Sequence, residues 1–160
     1  MSEVKVKPEF RSELEKNGII AFVPKGNSMW PTLKNRKQSV IVAKKTQRLK
    51  PFDVALYERD NGICVLHRVI EVHDSYYVIC GDSQFYYEKV DEDAVIGVMT
   101  SFYRGNKSVE VTDPKYIKEI NKWYSNDKRR KRKVNRFYFR QRLKYKTRYI
   151  VNRLIGKKNV

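Results

Sequence analysis

Two residues far apart in this chain, a serine and a histidine, are of the types that carry out acyl transfer. Ser28 stands in the segment GNSMWPTL, where a proline three residues later restricts the backbone just beyond the hydroxyl. A serine hydroxyl is a weak nucleophile until a neighbouring base accepts its proton. His67 follows 39 residues after Ser28 in the apolar segment VLHRVI, and Asp82 follows in a Gly-Asp turn. A serine, a histidine and an acid predict acyl-transfer chemistry if the fold brings these positions together.

The elements that must position these residues are short strands. Apolar runs bounded by Pro, Gly, Asn and Asp predict strands at residues 19–23, 39–43, 54–57, 64–72, 76–80, 94–103 and 108–111. An Asn-Gly pair within residues 57–65 predicts a hairpin whose loop is longer than two residues. We therefore predict a mostly β body, residues 19–112.

Helices are predicted on both sides of this body. Residues 1–18 contain a short helix with Phe10 and Leu14 on one face, and Asn17-Gly18 ends it. Asp113-Pro114 predicts the start of a helix over residues 113–125 that packs on the sheet. Residues 126–160 predict a basic amphipathic tail, in which an apolar stripe lies within about 60° on a helical wheel. The stripe consists of Phe139, Leu143, Ile150 and Leu154.

The positive charge is concentrated in that tail. Residues 1–127 carry 20 lysines and arginines against 18 acids, a net charge of +2, whereas residues 128–160 carry 15 and no acid. A nearly neutral body with a basic end predicts delivery to a polyanion. We favour an anionic membrane surface. Simple solvation of the charged tail is the second interpretation, and binding of nucleic acid or another polyanion, which tyrosines among the arginines would suit, is the third.

The remaining composition argues against several classes of site and location. Cys64 and Cys80 lie in apolar runs without metal-ligand spacing, which predicts buried free thiols and no metal or other cofactor. Residues 1–20 do not have the pattern of a signal peptide, and no apolar stretch is long enough to span a membrane. We therefore expect a cytoplasmic protein, peripheral to the inner face of the membrane.

Five blocks in order together resemble a known superfamily. They are GNSMWPTL at 26–33, FDVALY at 52–57, HRV at 67–69, GD at 81–82 and VIGV at 95–98. Over about residues 20–103 the chain resembles the signal-peptidase/LexA-like serine peptidases. Bacterial signal peptidases and LexA-like repressors have a lysine before the arginine of the third block, and His67 stands there in this chain. That feature is similar to the archaeal and endoplasmic-reticulum signal peptidases, although the membrane anchor common in signal peptidases is missing.

The resemblance implies both a fold and a mechanism. It implies a small, mostly β fold in which Ser28 is the nucleophile and His67 the base. An imidazole, with an ordinary pKa of about 6.5, is largely neutral at pH 7 and can accept the serine proton. An acid after the Gly-Asp turn would orient the imidazole. Asp82 and Glu88 are the two candidates, and we prefer Asp82.

The resemblance also implies a substrate. Met29 and Pro31, beside the nucleophile, would contact a peptide, and the reaction would be cleavage of a leader or signal-like peptide. The alternative is an inactive peptide-binding adaptor recruited by its tail, because the sequence predicts no anchor and residues 35–38 are one residue longer than the matching segment of this superfamily. His73 and Asp53 are interpreted as a surface residue and a turn residue.

Overall fold

The computed structural model describes residues 9–156. Most of its helices and strands are joined by loops of fewer than nine residues, as the predicted turn residues imply. Its helices are α1 Glu9–Asn17, α2 Pro114–Tyr124 and α3 Asp127–Gly156, with a 3-10 turn at Glu92–Ala94. Its strands are β1 Ile19–Phe22, β2 Val40–Lys44, β3 Val54–Glu58, β4 Cys64–Val72, β5 Tyr76–Cys80, β6 Glu88–Asp91, β7 Val95–Arg104 and β8 Lys107–Glu110.

All the strands within residues 9–156 join one eight-stranded antiparallel sheet. The order is β1-β2-β7-β3-β4-β5-β6, and β8 pairs with β7. The prediction of a mostly β body with flanking helices is thus confirmed. Strand β6 was not predicted, because its sequence EKVD offers one apolar residue. Val90 is the buried residue of β6, which is paired on one side only, with β5.

Helix α1 ends as its sequence predicts. Gly18 has a φ of +71°, a conformation that costs glycine little, and its N–H donates to the carbonyl of Leu14 at 2.9 Å. Leu14 is buried and the ring of Phe10 lies 4.7 Å from that of Phe22 on β1. The apolar face of α1 therefore packs on the neighbouring edge of the sheet.

One face of the sheet carries a continuous apolar core. Its residues come from β3, β4, β5, β6 and β7 and from the loop before β3. They are Leu49, Ala55, Tyr57, Val69, Tyr77, Ile79, Val90 and Val95. Side chains alternate across a strand, so the residues of β4 that precede Val69 and lie on the same face as this core are those an even number of positions from it.

The described residues divide into two compact units, with the division between Lys118 and Glu119. In the first, Asp113 caps α2 by accepting the N–H of Lys115 at 2.8 Å, and buried Tyr116 packs edge-on against Phe102 of β7. The start of α2 thus packs on the sheet, as predicted.

The second unit is dominated by α3. Asn126 caps this helix by accepting the N–H of Arg129 at 2.8 Å, and Arg130 lies 4.6 Å over the ring of Tyr124. The helical tail is therefore confirmed over the described residues. Phe139, Leu143 and Ile150 of the predicted stripe are exposed, whereas the side chain of Leu154 lies outside the described residues. None of the helices described combines the length and the apolar composition that crossing a membrane requires.

Candidate active site

His67 lies in the middle of β4 and is 3% exposed. Its Cα partner on β3 is Ala55, so its side chain shares the face of the sheet that carries the apolar core. Burying an imidazole in an apolar setting costs free energy unless its ring nitrogens have polar partners. The identity of those partners therefore decides what this histidine can do.

Two polar groups face the Nδ1 atom of His67. The hydroxyl of Tyr57 on β3 lies 3.3 Å away and the Oε1 atom of Glu88 on β6 lies 3.5 Å away. The carboxylate contact is an ion-pair distance, longer than a short hydrogen bond. Both groups occupy the Nδ1 side, so the tautomer with its proton on Nδ1 leaves Nε2 as a proton acceptor.

Glu88 is itself held by an arginine. Arg59, just past the end of β3, donates Nε at 3.0 Å and Nη2 at 2.8 Å to its two carboxylate oxygens. Burial opposes ionisation of Glu88, but the hydrogen bonds from His67 and Arg59 outweigh it and lower its pKa to about 2. Burial, followed by the negative charge of Glu88, raises the pKa of Tyr57, whose hydroxyl stays protonated. Glu88 is therefore a fixed anion beside His67.

Asp82 lies on the opposite face of β4, against Arg68. Arg68 donates Nε to Oδ1 at 2.7 Å and Nη2 to Oδ2 at 2.8 Å, and the hydroxyl of Thr32 also contacts Oδ2. Arg68 further donates to the carbonyl of Phe52 and to the hydroxyl of Tyr116. The side chains of Arg68 and Asp82 are both 0% exposed. Our preference for Asp82 as the partner of His67 therefore needs correction, since the contacts place Asp82 with Arg68 and Glu88 with His67.

The turn that carries Ser28 packs against the end of β5. The backbone N–H of Ser83 donates to the carbonyl of Ser28 at 2.8 Å, and the Ser83 hydroxyl donates to the carbonyl of Asn27 at 2.7 Å. A Cβ atom on Gly81 would lie 2.8 Å from the Ser28 carbonyl oxygen. Glycine at position 81 is therefore what allows this close approach.

Strand register relates this turn to His67. Arg68 and Cys80 are Cα partners on β4 and β5, and His67 and Gly81 are the residues next to this pair on the two chain segments. The Ser28 carbonyl oxygen and the Gln84 side chain lie where a side chain at position 81 would be, so the turn of Ser28 packs on the segment that follows β5, and β5 is paired with the strand that carries His67.

The two predicted substrate contacts differ in exposure. Met29 is 5% exposed, so its side chain belongs to the interior, and a peptide would reach its backbone only. Pro31 is half-buried and follows a cis peptide bond after Trp30. Of the two residues, Pro31 alone offers side-chain surface beside Ser28.

Neither protein-family models nor curated proteins gave a match to this chain. The chemistry of the site is accordingly inferred from its own residues.

Residues outside this site lie largely as interpreted from the sequence. His73 is partly exposed, pairs with Glu71 at 2.9 Å and stacks on Tyr76. Asp53 accepts the N–H of Lys50 at 2.9 Å, which is a turn contact. Cys64 and Cys80 are buried free thiols, and burial raises the pKa of Cys64. Among residues 9–156 no group of three or more His, Cys, Asp or Glu side chains is arranged to hold a metal ion.

Two functional candidates, Tyr57 and Arg59, were missed from the sequence. Tyr57 was assigned to a strand and Arg59 to a hairpin loop, and the loop is present as residues 59–63. A signal for Tyr57 did exist, because Ala55 and Tyr57 share one face of β3 and the hairpin pairs that face with His67. Arg59 had no such signal, since its partner Glu88 lies on the unpredicted strand β6.

Proposed function

We propose that this protein is a serine endopeptidase that resembles the signal-peptidase/LexA-like enzymes, with Ser28 as nucleophile, His67 as base and Glu88 as the acid that orients the base. One observation supports the proposal: a buried histidine is paired at Nδ1 with an ionised carboxylate. A buried imidazole with one ring nitrogen paired to a carboxylate is the arrangement that general-base catalysis needs.

In the proposed reaction the Ser28 Oγ attacks the carbonyl carbon of the scissile peptide bond. His67 Nε2 accepts the hydroxyl proton as the new C–O bond forms, and Glu88 stabilises the imidazolium through Nδ1–H. The C–N bond then breaks, and His67 returns the proton to the leaving amine. Water, activated by the same imidazole, hydrolyses the acyl-enzyme and regenerates the Ser28 hydroxyl.

Backbone N–H groups of the turn would hold the oxyanion. The N–H of Gly26 donates to the side chain of Asn35 at 2.9 Å, and that of Trp30 donates to the carbonyl of Asn27 at 3.0 Å. The N–H groups of Ser28 and Met29 are therefore the best candidates for this role. A serine side chain that serves as a donor in some relatives has no counterpart at Gly26.

Arg59 and Tyr57 act as positioning residues in this proposal. Arg59 fixes both oxygens of Glu88, and Tyr57 lies against the same ring nitrogen as that carboxylate. Both side chains therefore limit rotation of the imidazole. A base held in one orientation does not have to be ordered again at each turnover.

The proposed substrate is a leader or signal-like peptide bound in extended form. This class follows from the resemblance, and the exposed tyrosines 86 and 87, which precede Glu88 on the chain, supply apolar surface in the same loop.

Cleavage of candidate leader peptides by the full chain tests the proposal, with products identified by mass spectrometry. Cleavage should disappear in Ser28→Ala and in His67→Ala and persist in His73→Ala. His73→Ala is a matched control because it removes a histidine that also contacts a glutamate. Cleavage that survives both of the first two substitutions would overturn the proposal. Tight peptide binding without cleavage by the wild type would favour the adaptor instead.

A further inference from the structure

The C-terminal half of α3 exposes two kinds of side chain that seldom occur together on a surface without a partner. We define the tail surface as residues 139–153. Its cations are all exposed: Arg140, Arg142, Lys144, Lys146, Arg148 and Arg153. Its large apolar side chains are exposed as well: Phe139, Leu143, Tyr145, Tyr149, Ile150 and Val151. The segment carries no acid.

Charge complementarity identifies the class of partner as a polyanion. Six cations in 15 residues of one helix repel each other, and this segment has no carboxylate to relieve that repulsion. An anionic surface removes the repulsion and gains favourable contacts with each cation. A helix stabilised by such a partner fits the tail surface better than one that is only solvated.

The apolar side chains distinguish a lipid surface from a nucleic acid. Phe139, Leu143 and Ile150 are 62%, 47% and 54% exposed and fall within about 40° of one another on a helix of 100° per residue. Nucleic acids make favourable contacts with cations and with stacked aromatic rings, but few with leucine or isoleucine side chains. The acyl boundary of a bilayer accepts all three.

The remaining groups are compatible with a helix lying in the plane of the membrane. Lys146 falls beside the stripe, and its methylene chain can lie along the acyl boundary while its amine reaches the headgroups. Tyr145 and Tyr149 lie about 120° and about 80° from Phe139 on the wheel, at the height where aromatic rings with a polar end are favoured.

We propose that the tail surface binds anionic phospholipid bilayers as an in-plane helix, with Phe139, Leu143 and Ile150 inserted among the acyl chains and the surrounding cations on the headgroups. This proposal is independent of the peptidase chemistry. It requires no crossing of the membrane, which the composition of α3 does not support.

Sedimentation of the full chain with vesicles tests the proposal. Phosphatidylcholine vesicles with phosphatidylglycerol should bind the protein at least 10-fold more tightly than pure phosphatidylcholine, and added salt should weaken binding, because the attraction is electrostatic. Equal binding to both vesicles, or binding to neither, would overturn the proposal.

Three variants separate the contributions, each checked by circular dichroism for unchanged helix content. Arg142→Gln/Lys146→Gln/Arg153→Gln, which removes the cations beside the stripe, should weaken binding about 100-fold if each cation contributes as basic residues near anionic lipid do. Phe139→Ser/Leu143→Ser/Ile150→Ser should weaken it by about 10-fold or more, because partial burial of three apolar side chains is lost. Tyr145→Ser/Tyr149→Ser is the matched control and should have a smaller effect than the stripe variant.

A competing partner would produce the opposite pattern. If the protein bound single-stranded or duplex nucleic acid more tightly than anionic vesicles, and the tyrosine variant lost more affinity than the stripe variant, the partner would be a nucleic acid and the membrane proposal would be wrong.

Discussion

His67 and Arg68 are neighbours on β4, and each is buried and paired with a carboxylate, yet the two pairs differ in nearly every physical respect. Arg68 and Asp82 are fully buried, their hydrogen bonds are 2.7 and 2.8 Å long, and Thr32 contacts the carboxylate as well. His67 meets Glu88 at 3.5 Å, and the glutamate side chain is 20% exposed. We call Arg68–Asp82, which solvent does not reach, the closed pair. We call His67–Glu88, which is partly exposed through the glutamate, the open pair.

This difference separates a structural ion pair from one suited to catalysis. A closed pair is costly to break, because either partner alone would be an uncompensated buried charge. A histidine that acts as a general base needs an ionised neighbour to stabilise its charged form and a second ring nitrogen that can accept a proton. The alternation of side chains along one strand thus places a structural pair and a candidate catalytic pair on opposite faces of the sheet.

The largest effect is expected on the closed pair. Arg68→Ala leaves Asp82 buried without its main partner and should lower the free energy of unfolding by about 3 to 5 kcal/mol. Arg11→Ala is the control, because it removes an arginine from an exposed pair with Glu58 and should cost less than about 1 kcal/mol. Urea denaturation measures both variants. Equal losses would mean that Arg68 and Asp82 do not form the structural pair described.

The open pair should affect activity more than stability. Glu88→Gln should lower kcat/KM for a cleaved peptide by about 100-fold, because the imidazolium loses its anionic partner. Asp82→Asn is the matched carboxylate-to-amide control and should keep kcat/KM within about 10-fold when assayed on folded protein. The reverse result would restore Asp82 as the orienting acid.

Lowering the pH should reveal how much Glu88 contributes to the free energy of unfolding. Its pKa falls from 4.5 to about 2 in the folded protein, so its stabilisation is fully present above pH 4.5 and is lost as the pH falls towards 2. Allowing for its partial exposure, this contribution is roughly 2 kcal/mol. Urea denaturation between pH 5 and pH 2 should show a smaller loss for Glu88→Gln than for the wild type. Parallel curves would contradict the strong pairing of Glu88 with Arg59 and His67.

The smallest expected effect concerns the second partner of Nδ1. Tyr57→Phe keeps the ring and removes a hydroxyl 3.3 Å from His67, so it should lower kcat/KM only several-fold, roughly 1 kcal/mol. This loss should be accompanied by a change in the pH profile and not by a change in KM, since a positioning residue acts through the base. A substitution that changes KM alone would indicate a role in peptide binding.

Local patterns predicted the elements of this fold better than its contacts. Strands β4 and β5 have the predicted bounds, and Gly18 ends α1 as its sequence indicates. These features depend on apolar runs and turn residues that lie next to each other in the chain. Antiparallel pairing within the hairpin of β3 and β4 follows for the same reason.

The choice between Asp82 and Glu88 as the partner of His67 could not be made in this way. Asp82 is closer in sequence and lies in a recognisable turn, but its carboxylate contacts Arg68, whose side chain is on the other face. Glu88 reaches His67 from a strand whose four residues include a single buried one. Register between strands is set by packing across the whole sheet, and a local pattern does not encode it.

Labelling by a fluorophosphonate probe tests the central claim most directly. The probe phosphorus bonds to an activated serine Oγ as fluoride leaves, and mass spectrometry locates the adduct. The account predicts an adduct on Ser28 that is lost in His67→Ala and retained in His73→Ala. An adduct that forms at the same rate in His67→Ala, or labelling that leaves Ser28 unmodified in the wild type, would contradict it.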